Sequence, residues 1–201
     1  LLRETIISGD FSPGSRIKVS DVSRRYQVSS MPVREALRKL EGEGLVFVTP
    51  NRGATVRRVD RKFIEDVYEI RGYIECLMIR RCVTRMTMSK LERLEQLNRE
   101  YEKAVEDGHL PTIVNANRHL HVELVSIAGN EEAIRIFNHG WELIHALRLR
   151  YGYRACRLAQ LTQEHRLLLD ALSRLDADHA EAIIRMHTYA GMEDILETLE
   201  L

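Results

Sequence analysis

Between Val28 and Leu45 apolar residues return at steps of three and four. Val33, Ala36, Leu37 and Leu40 share one stripe, and Arg34, Arg38 and Lys39 fall outside it. The spacing predicts a short helix with an apolar back and a basic front. Ser29 is placed to cap it by offering its hydroxyl oxygen to an unpaired backbone N–H, and Pro32 falls in the first turn, where a missing N–H costs nothing. Upstream, Leu1, Leu2, Ile6 and Ile7 predict a first helix stopped at Gly9; the chain opens without a methionine, and a few more residues of that helix are expected ahead of it. Gly9, Pro13 and Gly14 mark a loop, and Ser20 to Tyr26 reads as a second helix with Ser20 as its cap. Past Gly44 the period changes to two: Val46 and Val48 lie on one side, Pro50-Asn51-Arg52-Gly53 is a turn, and residues 54–58 return as a strand. Two short helices joined by the tight Gln27-Val28 turn, with a hairpin after the second, predict a winged helix-turn-helix.

From residue 62 to 199 nothing carries a strand pattern. Phe63, Val67, Ile70, Ile74 and Leu77 trace one helix, and Ser89-x-x-Glu92 is a capping box for the next. Pro111 opens a third helix that ends before Gly129; segments 131–150, 155–175 and 177–199 complete an antiparallel bundle of about six or seven helices. The expected fold is mainly α, with a winged helix-turn-helix over residues 1–58 and an all-α bundle over 62–201. The connection across 56–62 is too short for a flexible tether, so the two units are expected to sit close together.

Polar residues inside the apolar stripes carry the chemistry. One stripe runs Val114, Asn117, His121, Leu124, Ala128; another Leu161, His165, Leu168, Leu172, Leu175; a third Ala180, Ile184, His187, Gly191, Ile195. A lone inward histidine is usually a hydrogen-bonded core residue. Three of them beside an amide favour a shared divalent metal, because each unpaired buried polar group costs about 1–3 kcal/mol. Neutral imidazoles suit zinc first, with nickel or manganese as alternatives. Four neutral ligands would leave the ion's charge uncompensated, which favours an anionic guest. Arg71 and Glu75 are spaced i, i+4, which on most helices is a surface ion pair, although an arginine here could also grip a guest carboxylate. Among the other histidines, His119 is expected to be exposed, His109 and His179 to sit at helix ends, and His139 and His145 to flank the Phe137, Trp141, Ile144 stripe as core residues or as a pocket edge.

Composition narrows the class. With 201 residues and 44% hydrophobic content, global disorder is excluded. No apolar run approaches the roughly 20 residues that span a bilayer, so a soluble, cytoplasmic protein without a membrane partner is expected. Cys76, Cys82 and Cys156 form no CxxC pair and imply neither a disulfide framework nor a thiolate zinc site. The net charge of zero hides a division: residues 1–60 carry 11 Lys and Arg against 7 Asp and Glu, and the remainder is acidic by the same margin. A polyanion-binding head on an acidic body fits this split.

GDFSPGSRI, VSSMPVREALRKLEGEGLV and PNRGATV together resemble the N-terminal domain of GntR-type bacterial transcription regulators across residues 1–58. The resemblance implies that Ser29, Ser30, Arg34 and Arg38 face phosphates or base edges and that Asn51, Arg52 and Gly53 lie near the minor groove. The family usually carries arginine where this chain has Ser30, so the operator is expected to depart from the usual one. Residues 62–199 resemble the FCD-type effector domain of the FadR branch. That domain holds a metal with an Asp or Asn, a His four residues later and two further histidines, which implies Asn117, His121, His165 and His187 here, with an amide in place of the commoner aspartate. An arginine at the place of Arg71 often enters its ligand cavity. The function implied is not enzymatic. It is a DNA-binding transcription regulator, a homodimer on an inverted repeat, controlled by a small organic acid bound near the metal. A direct metal sensor and a metal-dependent hydrolase are the other readings, the hydrolase lacking an evident general base beside the histidines.

Overall fold

The computed structural model describes residues 1–7, 10–50 and 52–199, so the expected stop at Gly9 and the turn residue Asn51 lie outside the described residues. The N-terminal segment runs α1 (Leu2–Ile7), β1 (Arg16–Ile17), α2 (Val19–Tyr26), α3 (Ser30–Gly42), β2 (Val46–Thr49) and β3 (Gly53–Val56). α3 realises the expected stripe, with Val33, Leu37 and Leu40 buried and Arg34, Arg38 and Lys39 exposed. The turn before it is set by Gln27, left-handed at φ 53°, whose N–H bonds Ser23 O. The expected caps are corrected. Ser29 holds the cap position of α3 but its side chain makes no capping bond. α2 begins at Val19 after Lys18, leaving the Ser20 hydroxyl to bond the Asp21 carboxylate at 3.4 Å.

The sheet is antiparallel in the order β1-β3-β2, with Ile17 opposite Ala54 and Val46 opposite Val56. β1 lies within what the sequence presents as a loop. Two residues carry no readable period, yet Ile17 is fully buried. The close approach of β1 depends on Gly53, at φ 89°, because a Cβ there would stand 2.2 Å from Ile17 O.

The bundle comprises α4 (Arg61–Val83), α5 (Met88–Asp107), α6 (Leu110–Ala128), α7 (Glu131–Tyr151), α8 (Arg157–Ser173) and α9 (Ala177–Thr198). Asp60, Asn130 and Asp176 cap α4, α7 and α9 by accepting from Phe63, Ala133 and His179 N–H groups. α5 is capped by Thr87, not by the expected Ser89, with Lys90 N–H donating to Thr87 Oγ1 at 3.4 Å. α8 stops before Leu175, which adopts a left-handed φ of 56° and is exposed rather than part of the core stripe.

α4 differs most from expectation. Its buried face is Ile64, Tyr68, Arg71, Glu75, Met78, Ile79 and Cys82, while two members of the predicted stripe, Ile70 and Leu77, are 58% and 49% exposed. An inward ion pair defeats a periodicity count that treats charge as outward. One core cluster joins α4, α5, α6, α7, α8 and α9 through residues such as Leu94, Leu124, Phe137, Leu172 and Ile184. A second runs from Ile17, Val22 and Leu37 of the winged segment into Ile64, Leu143, Leu147 and Ile195 of the bundle. The short connection therefore joins units packed against each other. Arg3 ties the same seam, pairing with Glu43 at 3.2 Å and with Glu142 at 3.0 Å. No helix among the described residues is long and apolar enough to cross a membrane.

Candidate metal centre and nucleic-acid interface

The three inward histidines converge from α6, α8 and α9. One ligand atom from each of His121, His165 and His187 lies within 4.8 Å of the others, and all three are buried. Two of the imidazoles are oriented from behind. His121 Nδ1 stands 3.1 Å from Glu75 Oε1, and His187 Nδ1 stands 2.8 Å from Glu164 Oε2. Thr188 donates to Glu75 Oε2 at 2.6 Å, and Arg157 grips Glu164 in bidentate fashion at 2.6 and 2.9 Å. If both Nδ1 atoms carry the proton these carboxylates attract, two bare Nε2 lone pairs face each other at 3.1 Å. Two nitrogens on a tetrahedral zinc stand about 3.3 Å apart, so that spacing is one a cation resolves.

Orphaned atoms point the same way. Both ring nitrogens of His165 and the Oδ1 of Asn117 are buried without a hydrogen-bond partner among the described residues. Lone pairs without donors, behind oriented imidazoles, fit a divalent cation. Burial lowers the His121 pKa to about 4 and drives His165 well below its ordinary value, so both rings stay neutral and able to ligate. Burial pushes the Glu75 carboxyl up, but Arg71 and the His121 hydrogen bond outweigh it and leave the net shift downward.

Beside the cluster lies an inner cavity of about 30 Å³, bordered by Arg71, Asn117, Trp141, His145, Arg148, Arg157 and His187. It has room for roughly two water molecules in this conformation. Arg71 is 8% and Glu75 3% exposed, so the expected surface pair is a buried one, with the guanidinium stacked 4.1 Å from the Trp141 ring centroid. Of the paired histidines, His145 borders this cavity, its Nε2 2.8 Å from Asn115 Oδ1, and His139 is exposed. His119 is exposed as expected, and His109 and His179 sit at helix starts, His109 at the cap of α6 and His179 in the first turn of α9. Glu164, Arg148, Arg157 and Asp194 give no sign of a role in the sequence, and Glu75 shows there only as the partner of Arg71. Charged residues at helical spacing look like solvated faces, and only their shared phase with the histidine stripes could have marked them.

In the winged segment, Ser29 at the cap of α3 and Ser30, Arg34 and Arg38 on it are exposed; on the wing Arg52 is exposed and Gly53 half-buried. Arg34 borders both clefts between helix and wing. The second, of about 240 Å³, is lined by Arg16, Lys18, Ser20, Arg34, Arg52 and Gly53 with no acidic side chain. β1 supplies Arg16, whose Nε donates to Arg52 O at 2.8 Å and braces the wing tip. The sequence gives no sign of Arg16 and Lys18 there, because Arg16 lies on a two-residue strand inside what reads as loop and Lys18 follows it at the cap of α2.

A winged helix-turn-helix with a basic outer face, seated on a helical bundle, is the build of a DNA-binding transcription regulator. Residues 1–56 match the bacterial regulatory proteins of the gntR family, and residues 66–190 match the FCD domain. The chain belongs to the GntR family and is of its FCD-bearing kind. It is 28% identical over 200 residues to the HTH-type transcriptional regulator YdhC of Bacillus subtilis, covering 99% of this chain and 89% of that one. It is 29% identical over 202 residues to the HTH-type transcriptional repressor RspR of Escherichia coli, covering 97% and 86%. Its fold is shared with E. coli McbR/YncC, at a TM-score of 0.73 and 24% identity over 96% of this chain and 93% of that one. Lar, described as controlling the Listeria monocytogenes agr system, superposes at 0.75 with 19% identity over 98% and 93%. The family consists of regulators, which removes the hydrolase reading.

Proposed function

We propose that residues 1–58 read an inverted-repeat operator in the cytoplasm, that residues 62–201 pair two copies of the chain, and that a small carboxylate beside a divalent metal in the bundle changes operator affinity. The observation that carries this reading is the set of buried polar atoms without partners among the described residues, Asn117 Oδ1 and the ring nitrogens of His165, next to a cavity that Asn117 and His187 border together with arginines. Asn117, His121, His165 and His187 would hold the ion, with zinc first and nickel or manganese as alternatives, and the ion would offer a coordination position to the guest's carboxylate. Around them Arg71 is matched by Glu75, Arg157 by Glu164 and Arg148 by Asp194. The protein charges cancel, so the cation's own charge still favours an anionic guest. Arg71 is the side chain best placed to take a second carboxylate or hydroxyl of that guest, its Nε being buried without a partner among the described residues.

A route to the DNA follows from ion pairs. Arg118, next to Asn117, pairs with Glu142; Glu142 pairs with Arg3; Arg3 pairs with Glu43 at the end of α3. Ordering α6 around a guest would bias this chain and the tilt of the recognition helix. Calorimetry of hydroxy acids, dicarboxylates and sugar acids on metal-loaded protein should find a binder that the His165→Ala protein does not bind. No binding, or equal binding by the variant, would make the metal structural. The direct-sensor reading draws on the weak amide ligand Asn117, and it would gain if operator affinity followed metal alone.

The homodimer would use the exposed apolar face of α4 and α9, where Ile70, Tyr73, Leu77, Met186 and Tyr189 stand in solvent. Tyr73→Glu with Leu77→Glu should sediment as a monomer and bind the operator more weakly, because two half-sites reward a joined pair. A dimer unaffected by both charges would place the seam elsewhere.

A further inference from the structure

We propose a second ligand site, distinct from the histidine cluster, in the seam between the winged segment and the bundle, with an apolar carboxylate as its occupant. A cleft of about 270 Å³ opens there between Ile6, Leu45 and Val56 on one side and Leu143, Ala146 and Leu147 of α7 on the other. α7 separates the two sites: His145 and Arg148 border the inner cavity, and Ala146 and Leu147 turn the other way into the cleft.

The walls select the chemistry. Aliphatic side chains from both units make an apolar slot, and the charged side chains bordering it are arginines, Arg57 and Arg150, with no acid among the lining residues. Arg57 sits between two aromatic rings, 4.3 Å from the Phe47 centroid and 4.7 Å from that of Phe63. Its Nε is buried without a hydrogen-bond partner among the described residues. Burial also lowers the Arg57 pKa, so this cation gains from an anion brought alongside it. An alkyl or aryl tail in the slot with a carboxylate toward Arg57 satisfies the apolar walls and the unmatched guanidinium together. Such an occupant would touch Leu45 and Val56 of the winged segment and α7 of the bundle, and would act on the angle between them.

The probes are hexanoate, octanoate and decanoate with octanol as control, titrated by calorimetry into the full chain after metal removal. Affinity should rise about fourfold per added methylene until the slot is filled, which is the burial of one CH₂ expressed as a binding ratio. Octanoate should bind more tightly than octanol, and Arg57→Gln should abolish that preference while keeping the chain-length series. Ala146→Phe should fill the slot and abolish binding while leaving zinc uptake unchanged; Val59→Phe at the half-buried rim is the second variant should the first fail to fold. Affinity flat with chain length, or intact in a folded slot-filled variant, would overturn the proposal. So would binding that requires the metal, which would move the acid to the histidine cluster. Because the titration is run on metal-free protein, its failure leaves the metal-dependent reading standing, and the reverse also holds.

Discussion

His165→Ala should empty the metal site: elemental analysis should fall from about one ion per chain to near none after mild chelation. His165 is the sharpest probe because neither ring nitrogen has another partner among the described residues, so its removal subtracts a ligand and breaks no hydrogen bond seen there. In metal-free protein the change should therefore cost little through lost hydrogen bonding, since it removes a buried polar group with nothing to bond. In the presence of zinc the order should reverse. An ion held at a thousand times its dissociation constant stabilises by about 4 kcal/mol, a gain the variant forgoes. Acid should expose the same site. The fold keeps His121 neutral, with a pKa of about 4 against an ordinary 6.5, so the stability of metal-free protein is present above 6.5 and declines as pH falls toward 4. Metal release should be displaced to the acid side of ordinary histidine titration for the same reason. Wild-type protein that takes up no zinc, nickel or manganese, or a variant that retains its ion, would leave these residues as core packing.

Arg34→Ala and Arg38→Ala should each cost about 1–3 kcal/mol of operator binding if the side chain reads a base, or roughly five- to 150-fold. Arg34 carries the stronger expectation because it borders both clefts between recognition helix and wing. Arg16→Ala and Lys18→Ala should behave differently. Their cleft has the chemistry of a phosphate seat, so each should weaken binding evenly across sequences and lower the salt dependence by about one counterion. Mobility-shift titrations at several salt concentrations separate the two behaviours. Undiminished binding by the double variant of Arg34 and Arg38 would refute this docking.

The parts of this protein legible in its sequence are those governed by one period at a time. α3, the β2–β3 hairpin and the stripes holding Asn117, His121, His165 and His187 each repeat long enough for phase to show which way a side chain turns. The carboxylates behind the histidines were hidden by that same logic. Glu75 sits i, i+4 from Arg71 and reads as a solvated pair, yet its partners His121 and Thr188 are 46 and 113 residues away in the chain. The misplaced face of α4 has the same cause, since two inward charges leave Ile70 and Leu77 to the solvent. Caps failed more locally: Ser20 and Ser89 have the right chemistry but stand two residues past the caps, Lys18 and Thr87. β1 is too short to have a pattern, and Arg16 and Lys18 went unseen with it.

The contact between Gly53 and the Ile17 carbonyl sets a rule for retargeting this regulator. Any side chain at 53 would push β1 from the sheet and carry Arg16 and Lys18 away with it, so that position is closed to variation however near the DNA it stands. Arg52 beside it, and Ser30, Arg34 and Arg38 on the recognition helix, are exposed and free to change. A library aimed at new operators should randomise those four and hold the glycine, since exposed side chains can be exchanged while the glycine that lets β1 approach the sheet cannot.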